Sequence, residues 1–180
     1  MGGRRLLPKT ESRLVLTWED IRTQVSSICR SISADGWRPD YVVGLVRGST
    51  IPATMISHYF AVPMYELKIS FRDDDGMSNE TNCWMPEDAV GYNNGHSKNI
   101  LIVDDINDSG ETLKWLKDDW ESSCHSGNAW KGVWGYNVKF ATIVNNTSSL
   151  VLINYAGQSI NKKQHDVWVE FPWEDWWLKQ

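Results

Sequence analysis

Residues 100–112 read ILIVDDINDSGET. Ile100, Leu101, Ile102 and Val103 form an unbroken apolar run rich in β-branched side chains. Such a run predicts a central strand buried on both faces, as in a parallel sheet. It stops at two adjacent carboxylates, Asp104 and Asp105. After Ile106 come Asn107, Asp108, Ser109, Gly110, Glu111 and Thr112, and then Leu113, Trp115 and Leu116 open a helical pattern. The predicted order is therefore buried strand, acidic strand end, tight polar loop, helix. A loop of this kind turns backbone N–H groups and the positive end of a helix toward one point, a ready seat for phosphate. Carboxylates beside a phosphate seat suit a sugar phosphate, its hydroxyls on the acids and its phosphate on the loop. Acidic pairs at strand ends also serve phosphoacceptor and metal sites of other α/β proteins. Asp104, Asp105 and Asp108 also spell DDxxD, the diphosphate motif of prenyl-transferring enzymes. That motif needs a long helix, and four β-formers before it with Gly110 behind it argue against one.

A chain of 180 residues favours one domain with a real core. Hydrophobic residues make up 41% and charged residues 23%, ordinary values for a globular protein. A net charge of −5 argues against broad electrostatic binding to nucleic acid. There is no apolar run of membrane-spanning length and no signal-peptide pattern, so stable membrane insertion is not expected. Three widely spaced cysteines form no CxxC pair, which fits a reducing compartment and predicts a cytoplasmic protein.

The run VDDINDSGET resembles the phosphoribosyl pyrophosphate (PRPP) signature of type I phosphoribosyltransferases: apolar strand, two acids, two variable positions, then a small or acidic residue, Ser/Thr, Gly, any residue and Thr. Every required position is filled. The resemblance implies an α/β fold of the type I phosphoribosyltransferase class, a mainly parallel sheet flanked by helices with a small C-terminal hood. Residues 1–180 then form a single domain, with a mobile lid over about 72–98 and the hood over about 156–180.

In chain order, residues 14–16 suit a short edge strand. Thr17 reads as an N-cap with Glu19 and Asp20 in the first turn, and Trp18, Ile21, Val25, Ile28, Cys29 and Ile32 form one apolar helical stripe. Residues 41–46 form the next strand and run into Arg47-Gly48-Ser49-Thr50, with a helix behind carrying Pro52 near its start. This second strand–loop–helix cradle resembles the family's pyrophosphate loop, which often holds a non-proline cis peptide. A strand over 64–71 ends in Ser70-Phe71, which resembles the Ser-Tyr pair at the lid of hypoxanthine-type members. The resemblance lets Arg72, next in line, reach the pyrophosphate. The segment 72–98 shows little regular pattern. Beyond the signature, residues 110–122 read as a helix, and residues 139–144 and 150–155 as strands.

The stretch 166–177, DVWVEFPWEDWW, holds four tryptophans beside Pro172. Aromatic faces stack on flat rings, and a nucleobase is one. The stretch resembles the hood of xanthine–guanine phosphoribosyltransferases, which implies that Trp168 stacks on the purine and the Val169 backbone meets its edge. Packing or an interface suits Trp173, Trp176 and Trp177 better than base contact. One departure stands out. The family has a lysine after the strand that here ends ATIV, donating to the purine 6-oxo group, whereas this chain has Asn145 and Asn146. Asn146 is then the candidate base contact, and because its amide both donates and accepts, hypoxanthine, guanine, xanthine and adenine all stay open.

The resemblance implies transfer of 5-phosphoribosyl from PRPP to a nucleobase, a 6-oxopurine first among them, with pyrophosphate released. Arg47, Gly48, Asp104, Asp105, Asn107, Asp108, Ser109, Gly110, Glu111 and Thr112 would hold PRPP. Asp105 and Asp104 would hold Mg²⁺, and Asp108 would act as general base or orienter near the purine. The implied partners are PRPP and a nucleobase, with a homo-oligomer as the expected assembly. A regulator of the same fold that binds PRPP or a nucleotide without turnover is the alternative.

Overall fold

The computed structural model describes residues 12–69, 84–92, 95–124 and 127–178. Ser70, Phe71 and Arg72, the lid residues singled out above, lie outside them.

Five parallel strands form the main sheet: β2 (Tyr41–Val46), β3 (Met64–Lys68), β4 (Ile100–Asn107), β5 (Val138–Asn146) and β6 (Tyr155–Ile160), in the order β3-β2-β4-β5-β6. The run Ile100 to Val103 is fully buried in the middle of that sheet, as its apolar continuity requires. Parallel neighbours need crossovers, and helices supply them. Helix α1 (Trp18–Ala34) and helix α2 (Thr50–Phe60) cover one face, with Ile21, Val25, Ile28, Ala53 and Ile56 on Val42, Leu101, Val103 and Ile143. Helix α3 (Trp84–Val90) and helix α4 (Glu111–Ser123) cover the other, with Met85, Ala89, Leu113 and Leu116 on Val43, Ile100, Ile102 and Phe140. Apart from the sheet, β1 (Arg13–Val15) pairs in parallel with β7 (Trp168–Glu170). The order of strands reverses between β2 and β4, since the chain runs outward from β2 to β3 and then returns to the other side. Open α/β sheets bind ligands at that crevice, outside the carboxyl ends of the strands.

Thr17 caps α1 as predicted. Its hydroxyl accepts from Asp20 N at 3.1 Å while its own N–H donates to the Asp20 carboxylate at 2.8 Å, a full capping box. Trp18 leaves the predicted stripe: it is 54% exposed, with its ring 6.1 Å from Trp173 of the C-terminal segment. Several tryptophans pack within the fold. Trp120 is buried, and Trp134 stacks on both Trp130 and Phe140 at 5.4 and 5.7 Å.

Four expected boundaries move. The segment 72–98 is not wholly irregular, because α3 lies within it and buries Met85 and Ala89. Seven residues are too few for a helical period to show in sequence, and Pro86 falls in the first turn, where a helix tolerates it. Strand β5 runs on through Asn145 and Asn146 instead of stopping before them. The strand expected at 150–155 lies at Tyr155–Ile160. Residues 150–153 alternate like a strand, with Leu152 93% exposed and Val151 and Ile153 against the core. Their backbone is engaged elsewhere: Leu150 N donates to the Ser109 carbonyl, and the Val151 carbonyl accepts from the Asn107 amide. Because β6 belongs to the main sheet, the segment beyond the sheet begins after residue 160, later than the expected hood.

Candidate active site

The carboxyl ends of β2 and β4 open into one cavity of about 290 Å³. Its walls are Leu45 to Gly48 from β2 and its loop, Ile69 beyond β3, and Asp104 to Gly110, Thr112 and Leu113 from β4, its loop and α4. Of the residues singled out in sequence, Arg47, Gly48, Asp104, Asp105, Asn107, Asp108, Ser109, Gly110 and Thr112 come together here. Glu111 opens α4 beside them but does not line the cavity, and neither do Asn146, Trp168 and Val169.

Asp104 and Asp105 end the buried run of β4 and remain largely shielded from water. Asp105 N donates to Asp104 Oδ1 at 3.0 Å, and Ile106 N donates to Asp105 Oδ1 at 2.9 Å. Burial, and after it the charge of Asp105, pushes the Asp104 carboxyl well above the usual carboxylate range. Asp105 is raised as well, chiefly by burial; hydrogen bonds from its neighbours oppose the shift and the charge of Glu174 adds to it. A cation or sugar hydroxyls would relieve this pair. Among the described residues no group of three or more His, Cys, Asp or Glu could hold a metal. The adjacent carboxylates Asp104 and Asp105 are a donor set that fits a hard cation taking one or two carboxylates and completing its shell with water and substrate.

Gly48 lies against this pair. A Cβ there would stand 1.9 Å from Asp105 Oδ2, so only glycine lets the two loops approach this closely. The Val46–Arg47 peptide before it is cis, the feature the resemblance implied. Ser49 is buried at the start of α2, its hydroxyl donating to the Leu45 carbonyl. On the β4 side, Gly110 takes φ +88° and passes close under Leu150 and Val151, which also favours glycine. Glu111 N donates to Ser109 Oγ at 3.2 Å, and α4 begins here. The N–H groups of a helix's first turn lack intrahelical partners, which is what a phosphate seat requires.

Both asparagines support the loops. Asn107 is buried, and its amide nitrogen donates to Asn145 Oδ1, Ser149 Oγ and the Val151 carbonyl at 2.6–3.0 Å. Asn146, the expected base contact, is buried too. Its nitrogen donates to the Asp108 carbonyl at 2.9 Å, and its oxygen accepts from Ser148 N, Ser148 Oγ and Lys162 N. Trp168 is half-buried on β7, and its N–H donates to the Ser12 carbonyl at 3.0 Å. Val169 is in the core on the α1 face. Trp173 stacks on Phe171 at 4.9 Å, the packing role expected of it.

Two residues enter that sequence reading missed. Lys162, in the turn after β6, pairs with Asp108 at 2.8 Å, and Glu174 brings a charge toward Asp105. Neither stands in a motif; β5–β6 pairing and the segment after β7 carry them in.

Residues 15–174 match the phosphoribosyl transferase domain family. The chain belongs to that family. A xanthine-guanine phosphoribosyltransferase of Cereibacter sphaeroides is 24% identical over 173 residues, spanning 88% of this chain and 85% of its own. Among solved structures, a purine phosphoribosyltransferase of Pyrococcus horikoshii superposes with a TM-score of 0.65 at 20% identity, covering 91% of this chain and 95% of that one. The Helicobacter pylori xanthine-guanine-hypoxanthine phosphoribosyltransferase gives 0.65 at 15% identity, over 93% and 95%. At such identities the structural likeness speaks for the fold: a mainly parallel α/β phosphoribosyltransferase sheet. The protein is thus a phosphoribosyltransferase. Among its described residues no helix is long and apolar enough to cross a membrane.

Proposed function

We propose that this phosphoribosyltransferase moves the 5-phosphoribosyl group of PRPP onto a ring nitrogen of a 6-oxopurine, hypoxanthine, guanine or xanthine, and releases pyrophosphate. The observation that carries the reading is the single cavity into which the acidic pair, the α4 phosphate seat and the Arg47-Gly48 loop all open. Each part answers one demand of an oxocarbenium-like transfer. Ser109, Gly110, Glu111 and Thr112 cradle the 5′-phosphate through backbone N–H and hydroxyl groups. Asp104 and Asp105 accept from the ribose hydroxyls and hold them as positive charge develops on the sugar. Arg47 meets the pyrophosphate and neutralises part of its charge. Mg²⁺, held by Asp105 with Asp104 and by the substrate itself, would supply the rest of the leaving-group neutralisation. Asp108 faces the base and takes or orients its ring proton. Asn107 and Asn146 hold the loop that carries Asp108, and Trp168 supplies a stacking face. The three relatives described above are named as purine phosphoribosyltransferases, which favours the same base class.

The test is a screen of PRPP and Mg²⁺ with each common base, following pyrophosphate and nucleotide. Nucleotide formed with a 6-oxopurine supports the reading. Tight PRPP binding with no pyrophosphate from any base would instead assign the site to a regulator.

A further inference from the structure

Two peptide carbonyls of the loop after β4 are held from behind. The Asp108 carbonyl accepts from the Asn146 amide nitrogen at 2.9 Å, and the Ser109 carbonyl accepts from Leu150 N at 2.9 Å. Neither Asn146 nor Leu150 lines the cavity, whereas Asp108, Ser109 and Gly110 do. A trans peptide carries its C=O and N–H on opposite sides. Fixing these two carbonyls therefore turns the N–H groups of Ser109 and Gly110 the other way, toward the cavity. Among the described residues neither N–H has a hydrogen-bond partner. Two adjacent backbone donors of this kind suit a phosphate.

The Leu150 side chain is 74% exposed, so it does not itself fix the N–H that holds Ser109. Its neighbours are the ones tied down. Asn107, 2% exposed, donates through Nδ2 to Ser149 Oγ at 2.6 Å, to Asn145 Oδ1 at 2.8 Å and to the Val151 carbonyl at 3.0 Å. The Ser149 hydroxyl donates to the same Val151 carbonyl at 3.0 Å. An amide supplies two hydrogens and a hydroxyl one, which matches the three acceptors. One buried side chain thus grips the residues on both sides of Leu150. The fit is close: a Cβ on Gly110 would stand 2.9 Å from Val151 N and 3.0 Å from Leu150 N. Asn107 occupies one of the two variable positions of the PRPP signature, so the signature itself does not call for this tie. Resting on the reading that this loop takes the 5′-phosphate, we infer that Asn107 and Ser149 are positioning residues of the phosphate seat. Through residues 149–151 they aim the Ser109 and Gly110 N–H groups, and so set how strongly the site prefers a phosphorylated ligand over the bare nucleoside.

The experiment titrates inosine monophosphate and inosine into wild type, Asn107→Leu, Ser149→Ala and Ser149→Thr by calorimetry. Wild type should prefer the monophosphate by about a hundredfold, the scale of two hydrogen bonds to a charged group. Asn107→Leu should cut that preference by about tenfold or more while inosine affinity stays within about twofold. Ser149→Ala should cut it less, because the Asn107 nitrogen already reaches the Val151 carbonyl, and Ser149→Thr should restore it. Residues that served folding alone would change both affinities together or neither. An unchanged ratio in Asn107→Leu and Ser149→Ala, or equal weakening of both ligands, would therefore overturn the assignment. Should Asn107→Leu lose its cooperative thermal transition, the ratio in Ser149→Ala decides alone. A wild type that binds both ligands alike would overturn the phosphate seat as well as its positioning residues. Binding needs no turnover, so absence of pyrophosphate release would sink the transferase reading while this result still stood.

Discussion

Asp104 has an electrostatic cost that function must offset. Its carboxyl is pushed up by burial and by Asp105, so the folded protein binds that proton more tightly than the unfolded chain does. The stability the proton contributes is full at low pH and is lost as pH rises through the raised value. Asp104→Asn is therefore expected to melt above wild type near about pH 8, with the gap closing toward about pH 4, while PRPP affinity falls. In a chain of this size each ~1 kcal/mol appears as roughly 2–4 °C. A variant that melts at or below wild type at the higher pH would show that the buried charge is already compensated. Asp108 differs: it is half exposed, and the role proposed for it is chemical. Asp108→Asn should keep PRPP binding and lower turnover by about 10²-fold, which steady-state rates at saturating PRPP would register. At this scale legibility follows contiguity. Strand end, acids and loop lie in one run of sequence, so their roles could be read from it. Lys162 is 54 positions from Asp108 and reaches it only because β6 pairs with β5.

Among the elements, the strand pair β1–β7 is what orients the aromatic segment. Arg13 pairs with Glu170 at 2.9 Å, Trp168 N donates to Ser12, and Leu16 N donates to the Glu170 carbonyl. Trp168 is thereby fixed at the level of the backbone. Trp168→Ala should weaken nucleotide binding by roughly tenfold to a hundredfold, since stacking a base is worth about 1–3 kcal/mol. Phe at this position should restore much of that, and PRPP affinity should hold. If Trp168→Ala binds nucleotide like wild type, the tryptophan is packing and the base wall lies elsewhere. Residues 14–16 read as a strand, yet sequence gave no sign of their partner, because three-residue strands carry almost no period. The misplaced strand at 150–155 has the opposite cause. Its alternation was real, but its backbone groups were taken by Asn107 and Ser109.

For the whole molecule, the site follows from strand order. The reversal between β2 and β4 separates two loops that each lead into a helix, and on the proposed reading the ligand gathers them. Binding should therefore stabilise the entire fold. Mg²⁺ with PRPP should stabilise the fold by ~2.7 kcal/mol at a hundredfold excess over Kd, and so raise the melting temperature well above either alone. Asp105→Asn should lose most of the gain; a thermal shift equal to that of wild type would take Asp105 out of the site. The Arg13–Glu170 contact that ties β1 to β7 joins residues 157 positions apart. On the ribosome, every strand of the main sheet has emerged before β7 does, so a growing chain can assemble its phosphate loops while β1 still waits for its partner. On the stacking role proposed for Trp168, the wall that faces the base is then the last part of the site that synthesis supplies, and a chain halted short of β7 would keep its phosphate loops without that wall.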